Sequence, residues 1–382
     1  DARVGCRRTG SRAADRHGGP AGEMMPTLKT ALLLMTCAVC FGAAQPCAAQ
    51  RSPGRHEAPL AQVPISPAPS IQALAVGKDQ ALYAGSFGQG VFRSHDQGKT
   101  WASANEGLSD QFILSLAVAE DGRVYVGTLR GGVFKSDNGG ANWQPVNEGL
   151  KRLEVKALLV DGRALYAGTG DGVYRLGDGE TQWARVTKGL GDLLIHTLVM
   201  GADRTLFAGT SGKGVVRLKF NGTEWTRLSK GLKDHEGLVE NFIRVLVLDR
   251  DQALYAGTFD GGVFRSVDGG ETWLPISRSL PNDSIRGIVV SDKGLFVATG
   301  RGIFRTVSQG QKWFPQNVGL TELSVQVLAS PGGRVLYAGT SAGVFRSDDD
   351  GESWAGINEG LGGAQEAAAP SPWNHLGRSG KP

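Results

Sequence analysis

The chain has 382 residues and a formal net charge of +4, but residues 1–49 hold six Lys/Arg and three Asp/Glu, leaving 35 against 34, a net of +1, for the rest. A near-neutral body gives no electrostatic footing for a general nucleic-acid role. All four cysteines (Cys6, Cys37, Cys40, Cys47) fall in that N-terminal stretch, so a body without it has no disulfide, thiol nucleophile or cysteine-ligated metal.

In chain order, residues 1–23 precede the first methionine and read as an upstream artefact. Residues 24–49 read as a secretory signal, with Met24 or Met25 as start, Lys29 in the basic region and an apolar run over 31–44. Cys47-Ala48-Ala49 before Gln50 is a small-residue cleavage site. The run is too short to remain as a membrane span, and Leu34-Met35-Thr36-Cys37 fits a lipoprotein signal poorly. The expected product is exported, periplasmic or extracellular, with no integral membrane segment after cleavage. Residues 50–70 are a Pro-rich lead-in. Residues 362–382 are a Gly/Ala/Pro-rich tail, expected to be disordered, with Trp373 outside any pattern.

Between them, over 71–361, seven tryptophans recur at Trp101, Trp143, Trp183, Trp225, Trp273, Trp313 and Trp354, at intervals of 42, 40, 42, 48, 40 and 41 residues. Such a period marks one supersecondary unit repeated seven times. Each unit opens with an inner strand such as Ile71 to Val76 or Ile243 to Leu248. A second strand follows, typified by Leu254-Tyr255-Ala256-Gly257-Thr258, and then a third, typified by Gly262-Val263-Phe264-Arg265. A hairpin carries the tryptophan into a fourth strand, expected to end at Gly-Leu (107–108, 149–150, 189–190, 231–232, 319–320, 360–361). Short runs rich in β-branched and aromatic residues, split by Gly turns, are strands. The fold class is therefore all-β: one seven-bladed β-propeller with four antiparallel strands per blade. No terminal strand is obviously borrowed to close the ring, although Val63 to Ser66 could add one.

The turn between strands three and four resembles the Asp-box, Ser/Thr-x-Asp-x-Gly-x-Thr-Trp. Ser94-His95-Asp96-Gln97-Gly98-Lys99-Thr100-Trp101 matches it, as do the segments from Ser266 to Trp273 and from Ser347 to Trp354. Asn138 and Ser308 replace the acid in two further copies, and those ending at Trp183 and Trp225 are eroded. A short acid there bonds turn amides, glycine takes positive φ and the indole packs under the hairpin. Asp96, Asp268 and Asp349 are thus read as turn-formers, not catalysts. The whole repeat resembles the bacterial Asp-box (BNR) propellers related to sialidase-like folds, sortilin-type ectodomains, xyloglucan-active glycoside hydrolases and photosystem II assembly factors. The resemblance implies a ligand face opposite the boxes. The xyloglucan enzymes place two such propellers face to face, and this chain has one. The assembly factors are single exported propellers that bind protein without catalysis. A sialidase needs a tyrosine nucleophile, an arginine triad and an acid, and none is recognisable.

Recurrence separates architecture from function. Arg93, Lys135, Arg175, Arg217, Arg265, Arg305 and Arg346 share one slot and read as packing stems with solvated heads. All six tyrosines also fill repeat slots. Gly98-Lys99-Thr100 has Arg93 where a phosphate loop needs glycine. His56, His95, His196, His235 and His375 show no ligand spacing, so neither zinc nor another cofactor is expected.

Two features break the pattern. One is the insertion over 233–242, containing His235, Glu236 and Phe242, which is either a binding loop or a tolerated surface insertion. The other is the second residue of each inner strand: Gln72, Leu114, Lys156, His196, Arg244, Arg286 and Gln326. Lys156, His196, Arg244 and Arg286 would form a basic arc at the channel mouth, with Arg130, Lys213 and Arg301 from nearby turns. Asp110, Glu154, Asp192, Asp260, Asp283 and Glu322 could oppose it. The arc would hold an anionic ligand or an acidic segment of a partner, or else be a solvated channel balanced by those acids. The favoured reading is a monomeric, non-enzymatic scaffold that binds a protein or acidic peptide through Lys156, His196, Arg244, Arg286, Arg301 and the 233–242 loop. The rival is a carbohydrate-active propeller, a glycoside hydrolase or glycan binder. It would use carboxylates such as Asp171, Asp260 and Asp283, or the aromatics Phe87, Phe112, Phe242 and Phe259.

Overall fold

A computed structural model describes residues 68–162, 164–186, 188–233 and 242–362. The upstream stretch, the signal segment, the lead-in up to residue 67 with Val63 to Ser66, and the tail from residue 363 lie outside the described residues. Seven four-stranded antiparallel sheets follow one another, each with its strands in chain order. Blade 1 is built from Ile71–Val76, Leu82–Ser86, Val91–Ser94 and Ala102–Ser103. The inner strands of blades 2 to 7 are Ile113–Val118, Val155–Asp161, Ile195–Met200, Ile243–Leu248, Ile285–Ser291 and Val325–Gly332. Neighbouring inner strands touch all the way round, Val325–Gly332 against Ile71–Val76 included, so the ring is closed.

The sequence explains the spacing of the blades. The first residue of every inner strand (Ile71, Ile113, Val155, Ile195, Ile243, Ile285, Val325) is β-branched and fully buried. In six of the seven it occupies the space above the glycine of the preceding blade's second strand; before Val325 that slot is Ala298. A Cβ on Gly85 would stand 2.5 Å from Ile113 Cγ2, and one on Gly257 2.6 Å from Ile285 Cγ2. Leu-Tyr-Ala-Gly-Thr therefore keeps its glycine for close packing. Each blade interface holds one apolar cluster. The cluster that closes the ring joins Tyr337 and Val344 of blade 7 to Ile71, Phe92 and Trp101 of blade 1.

The tryptophans bind across blades as well as packing within them. Each indole Nε1–H donates to a backbone carbonyl of the preceding blade, as in Trp143 to Ala104 (2.8 Å) and Trp313 to Ile276 (2.8 Å). Trp183 and Trp225, in the eroded copies, keep this bond to Val146 and Val186 (both 2.6 Å). Trp101 reaches back to Ile357 (2.7 Å) and joins blade 1 to blade 7. Gly343 N–H also donates to the Pro69 carbonyl (3.0 Å). Among the described residues ring closure thus uses side-chain and loop bonds, and every sheet is made of its own four consecutive strands.

Two expectations are corrected. The fourth strand is only two residues long, three in blade 4, and the Gly-Leu pair lies in the turn beyond it. There Gly107, at φ +82°, lies where a Cβ would collide with the Trp143 carbonyl. The repeated arginines do not simply carry solvated heads. Arg217 and Arg346 donate to the Gly269 and Gln97 carbonyls in the next blade's turn (3.3 and 3.1 Å). Arg93, Arg265, Arg305 and Arg346 also lie over the rings of Tyr83, Tyr255, Phe296 and Tyr337. Tryptophan clasps the blade behind and arginine the blade ahead.

The turn acids close their turns. Asp349 accepts from the Ser353 hydroxyl (2.5 Å), the Ser353 amide (2.9 Å) and the Ser347 hydroxyl (2.7 Å), bonds that hold its carboxyl down at about 2. Asp96 is held low by the same set from Thr100 and Ser94.

Candidate functional site

In all seven blades the pairing between the first two strands skips one residue. Ile71 pairs with Ser86 and Ala73 with Gly85, leaving Gln72 unpaired. The same β-bulge leaves Leu114, Lys156, His196, Arg244, Arg286 and Gln326 without a cross-strand partner. A bulged residue is re-aimed and released from the ladder's side-chain rules. That is the physical reason why this slot varies freely. All seven side chains converge on one cavity of about 290 Å³ at the channel mouth. Strand register puts this mouth at the end of each sheet opposite the Asp-containing turns, since Ile71 pairs with Ser86 while Leu82 pairs with Ser94.

Among the described residues the cavity wall carries Lys156, Arg244 and Arg286 and no carboxylate. Each arginine is held by a serine of the following blade: Arg244 Nη1 donates to Ser284 Oγ (3.1 Å) and Arg286 Nη1 to Ser324 Oγ (2.9 Å). Lys156 Nζ lies 3.4 Å from Glu154, at the rim. Burial lowers both arginine pKa values, and at Arg244 the charge of Arg286 adds to it. His196 is pushed down to about 4 by burial, then by the charges of Lys156 and Arg244, so its ring is neutral at neutral pH. His196 Nε2 and Arg286 Nε are buried without a hydrogen-bond partner among the described residues. Fixed cations with unspent donors suit an anion.

Several of the acids expected to balance the arc are used elsewhere. Asp110 accepts the amides of Arg130 (2.6 Å) and Gly131 (2.9 Å), Glu322 accepts that of Ser324 (2.7 Å), and Asp192 pairs with Arg185. Asp171, a candidate hydrolase acid, is buried against the Thr169 and Tyr174 hydroxyls (both 2.9 Å). Arg301 does not join the cavity: it is exposed on the turn after Gly294–Thr299, with its amide on Thr299 Oγ1. Lys213 is tied to the Leu190 carbonyl (2.7 Å). His235 and Glu236 lie outside the described residues. Phe242 is at the rim, its ring 4.6 Å from His196 and 5.3 Å from Phe259, over which Arg244 lies at 5.2 Å. Ser284 and Ser324 were missed from sequence. Their signal is a serine two residues ahead of the slot, but the arginine that each holds is in the blade before.

The fold and this site define a single β-propeller with a basic channel mouth. A profile of the DUF6242 β-propeller domain matches residues 72–287, and the chain belongs to that family. No curated protein matches it. Among solved structures it is similar to a GH74 enzyme of Niastella koreensis at 16% identity and TM-score 0.60, over 78% of this chain and 55% of that one. It thus spans about half the length of that enzyme. It is also similar to YCF48 of Cyanidioschyzon merolae, at 14% identity and TM-score 0.58 over 74% and 96% of the two chains. YCF48 bound to a D1 peptide gives TM-score 0.56 at 14% identity, over 73% and 93%. Virginiamycin B lyase of Staphylococcus aureus gives TM-score 0.59 at 13% identity, over 72% and 92%. At these identities the likeness is one of fold.

Proposed function

We propose that this protein is an exported, non-enzymatic scaffold that holds an acidic segment of a partner protein at its channel mouth. The observation that carries this reading is the cavity itself, with three cations, two of them held by serines, and no carboxylate among the described residues of the wall. A neutral-pH anion would accept from the guanidinium N–H groups that the serines leave over, and would compete with Glu154 only at Lys156; preorganised donors lower the cost of binding. The serine- and acid-closed turns on the opposite face support the Asp-box, sialidase-like kinship, and YCF48 offers a propeller of this size seen with a peptide. The carbohydrate reading has the GH74 fold likeness behind it, but Asp171 is committed to its turn.

The test compares the wild-type protein with Arg244→Glu/Arg286→Glu as bait for the exported proteins of the producing organism. A stoichiometric partner kept by the first and lost by the second, at unchanged Tm, is the expected result. Equal retention would sink the reading. Retention on polysaccharide, with no protein partner, would favour the rival.

A further inference from the structure

On the loop face one backbone bond recurs beside the bulge. The residue after the second strand donates its amide to the carbonyl just ahead of the inner strand: Phe87 to Ser70, Leu129 to Phe112, Gly170 to Glu154, Ser211 to Leu194, Phe259 to Phe242 and Ser341 to Ser324, at 2.9 to 3.2 Å. The bond is main chain to main chain, and glycine or serine makes it in blades 3, 4 and 7. The fold therefore does not ask for the phenylalanines that stand there in blades 1 and 5. Phe87 and Phe259 are nonetheless 48% and 50% exposed. Large apolar side chains set in water where serine would serve are candidates for contact with a partner.

These rings form two stations. Phe87 meets Phe112 edge-on at 4.9 Å and 73°, with Arg130 over Phe112 at 5.4 Å. Phe259 meets Phe242 at 5.3 Å, with Arg244 over Phe259 at 5.2 Å. The first station belongs to blades 1 and 2 and the second to blade 5, so they stand on opposite sides of a seven-bladed mouth. Between them lies the cavity of Lys156, Arg244 and Arg286.

We infer that the partner segment is an extended peptide with an acidic centre flanked on both sides by apolar side chains. The acidic side chain enters the cavity, one flank packs on Phe87 and Phe112, and the other on Phe242 and Phe259. This rests on the protein-binding reading and narrows it. A sugar fits the stations less well. Stacking a pyranose needs an open, flat aromatic face, and here the rings are set at angles to one another and two of them are covered by guanidinium groups. Among its described residues the basic wall supplies no carboxylate acceptor for neutral hydroxyls.

A library of random linear peptides displayed on phage, selected on the purified protein, tests this. Enriched peptides are expected to share an acidic residue with aromatic or leucine residues on both sides. Phe87→Ser/Phe259→Ser should melt like the wild type, because serine fills the same slot in blades 4 and 7. It should bind synthetic copies of those peptides at least about tenfold more weakly, as should peptides with either apolar flank changed to alanine. Peptides lost by Arg244→Glu/Arg286→Glu but bound normally by the phenylalanine variant would overturn the two-station inference and leave the charge reading standing. No enrichment, or an effect of the phenylalanine variant seen only on binding to polygalacturonate or xyloglucan, would overturn both.

Discussion

His196 is packed on Phe242 between two permanent cations, and its titration is the most displaced of any base in the site. In the unfolded chain its pKa is near the ordinary 6.5, whereas in the fold it is about 4. Above pH 6.5 the ring is neutral in both states and contributes nothing to the pH dependence of stability. Between 6.5 and about 4 the unfolded state takes up a proton that the folded state refuses, so stability falls as pH falls, and the loss levels off below 4. The expected loss is on the order of 2 kcal/mol after allowance for solvent screening. Urea unfolding of the wild type and His196→Gln at pH 7 and 4.5 measures it: the wild type should lose more than the variant, and parallel losses would refute the assignment. The variable slot that contains His196 was legible in the sequence because a bulged residue escapes the repeat. The serines that hold its arginine neighbours were not, because sequence distance hides a contact between one blade and the next. Arg301 stands, as its place in the repeat implied, on an exposed turn beside the mouth and not in the cavity wall.

The element that makes the blades a ring is the interface, and its two fixtures are the indole clasp and the glycine under the inner strand. Trp313→Phe keeps most of the ring but removes the N–H that satisfies the buried Ile276 carbonyl. The expected cost is about 1–3 kcal/mol, read as a lower urea midpoint at unchanged m. Gly257→Ala drives a methyl to 2.6 Å from Ile285 Cγ2 and should cost about 1–3 kcal/mol by overpacking. Because the methyl would also stand 2.6 Å from Val245 Cγ1, Ile285→Val in the same chain should give no relief. The four-strand blade was legible because its apolar alternation and glycine turns are local. The length of the fourth strand was not, because its end is set by a tryptophan of the following blade whose backbone amide takes the carbonyl of Glu106 or its equivalents.

At the scale of the whole molecule, blade 7 meets blade 1 through the same fixtures that join every other pair: Trp101 donates its amide to Glu359 (2.9 Å) and its indole to Ile357 (2.7 Å). Trp101→Phe should therefore cost the same as Trp313→Phe to within about 0.5 kcal/mol and leave a single unfolding transition in calorimetry. A much larger loss, or a separate early transition, would show the closing interface to be the weak one. The period of the tryptophans implied a ring, but how it closes could not be read from the pattern, because closure depends on which carbonyls face Trp101. The seven bulges have a consequence for inheritance. A mutation at a mouth position meets no paired neighbour and breaks no ladder bond, so each position can change by itself. Duplication and drift can then alter what the mouth recognises one residue at a time, with no folding defect for selection to remove along the way.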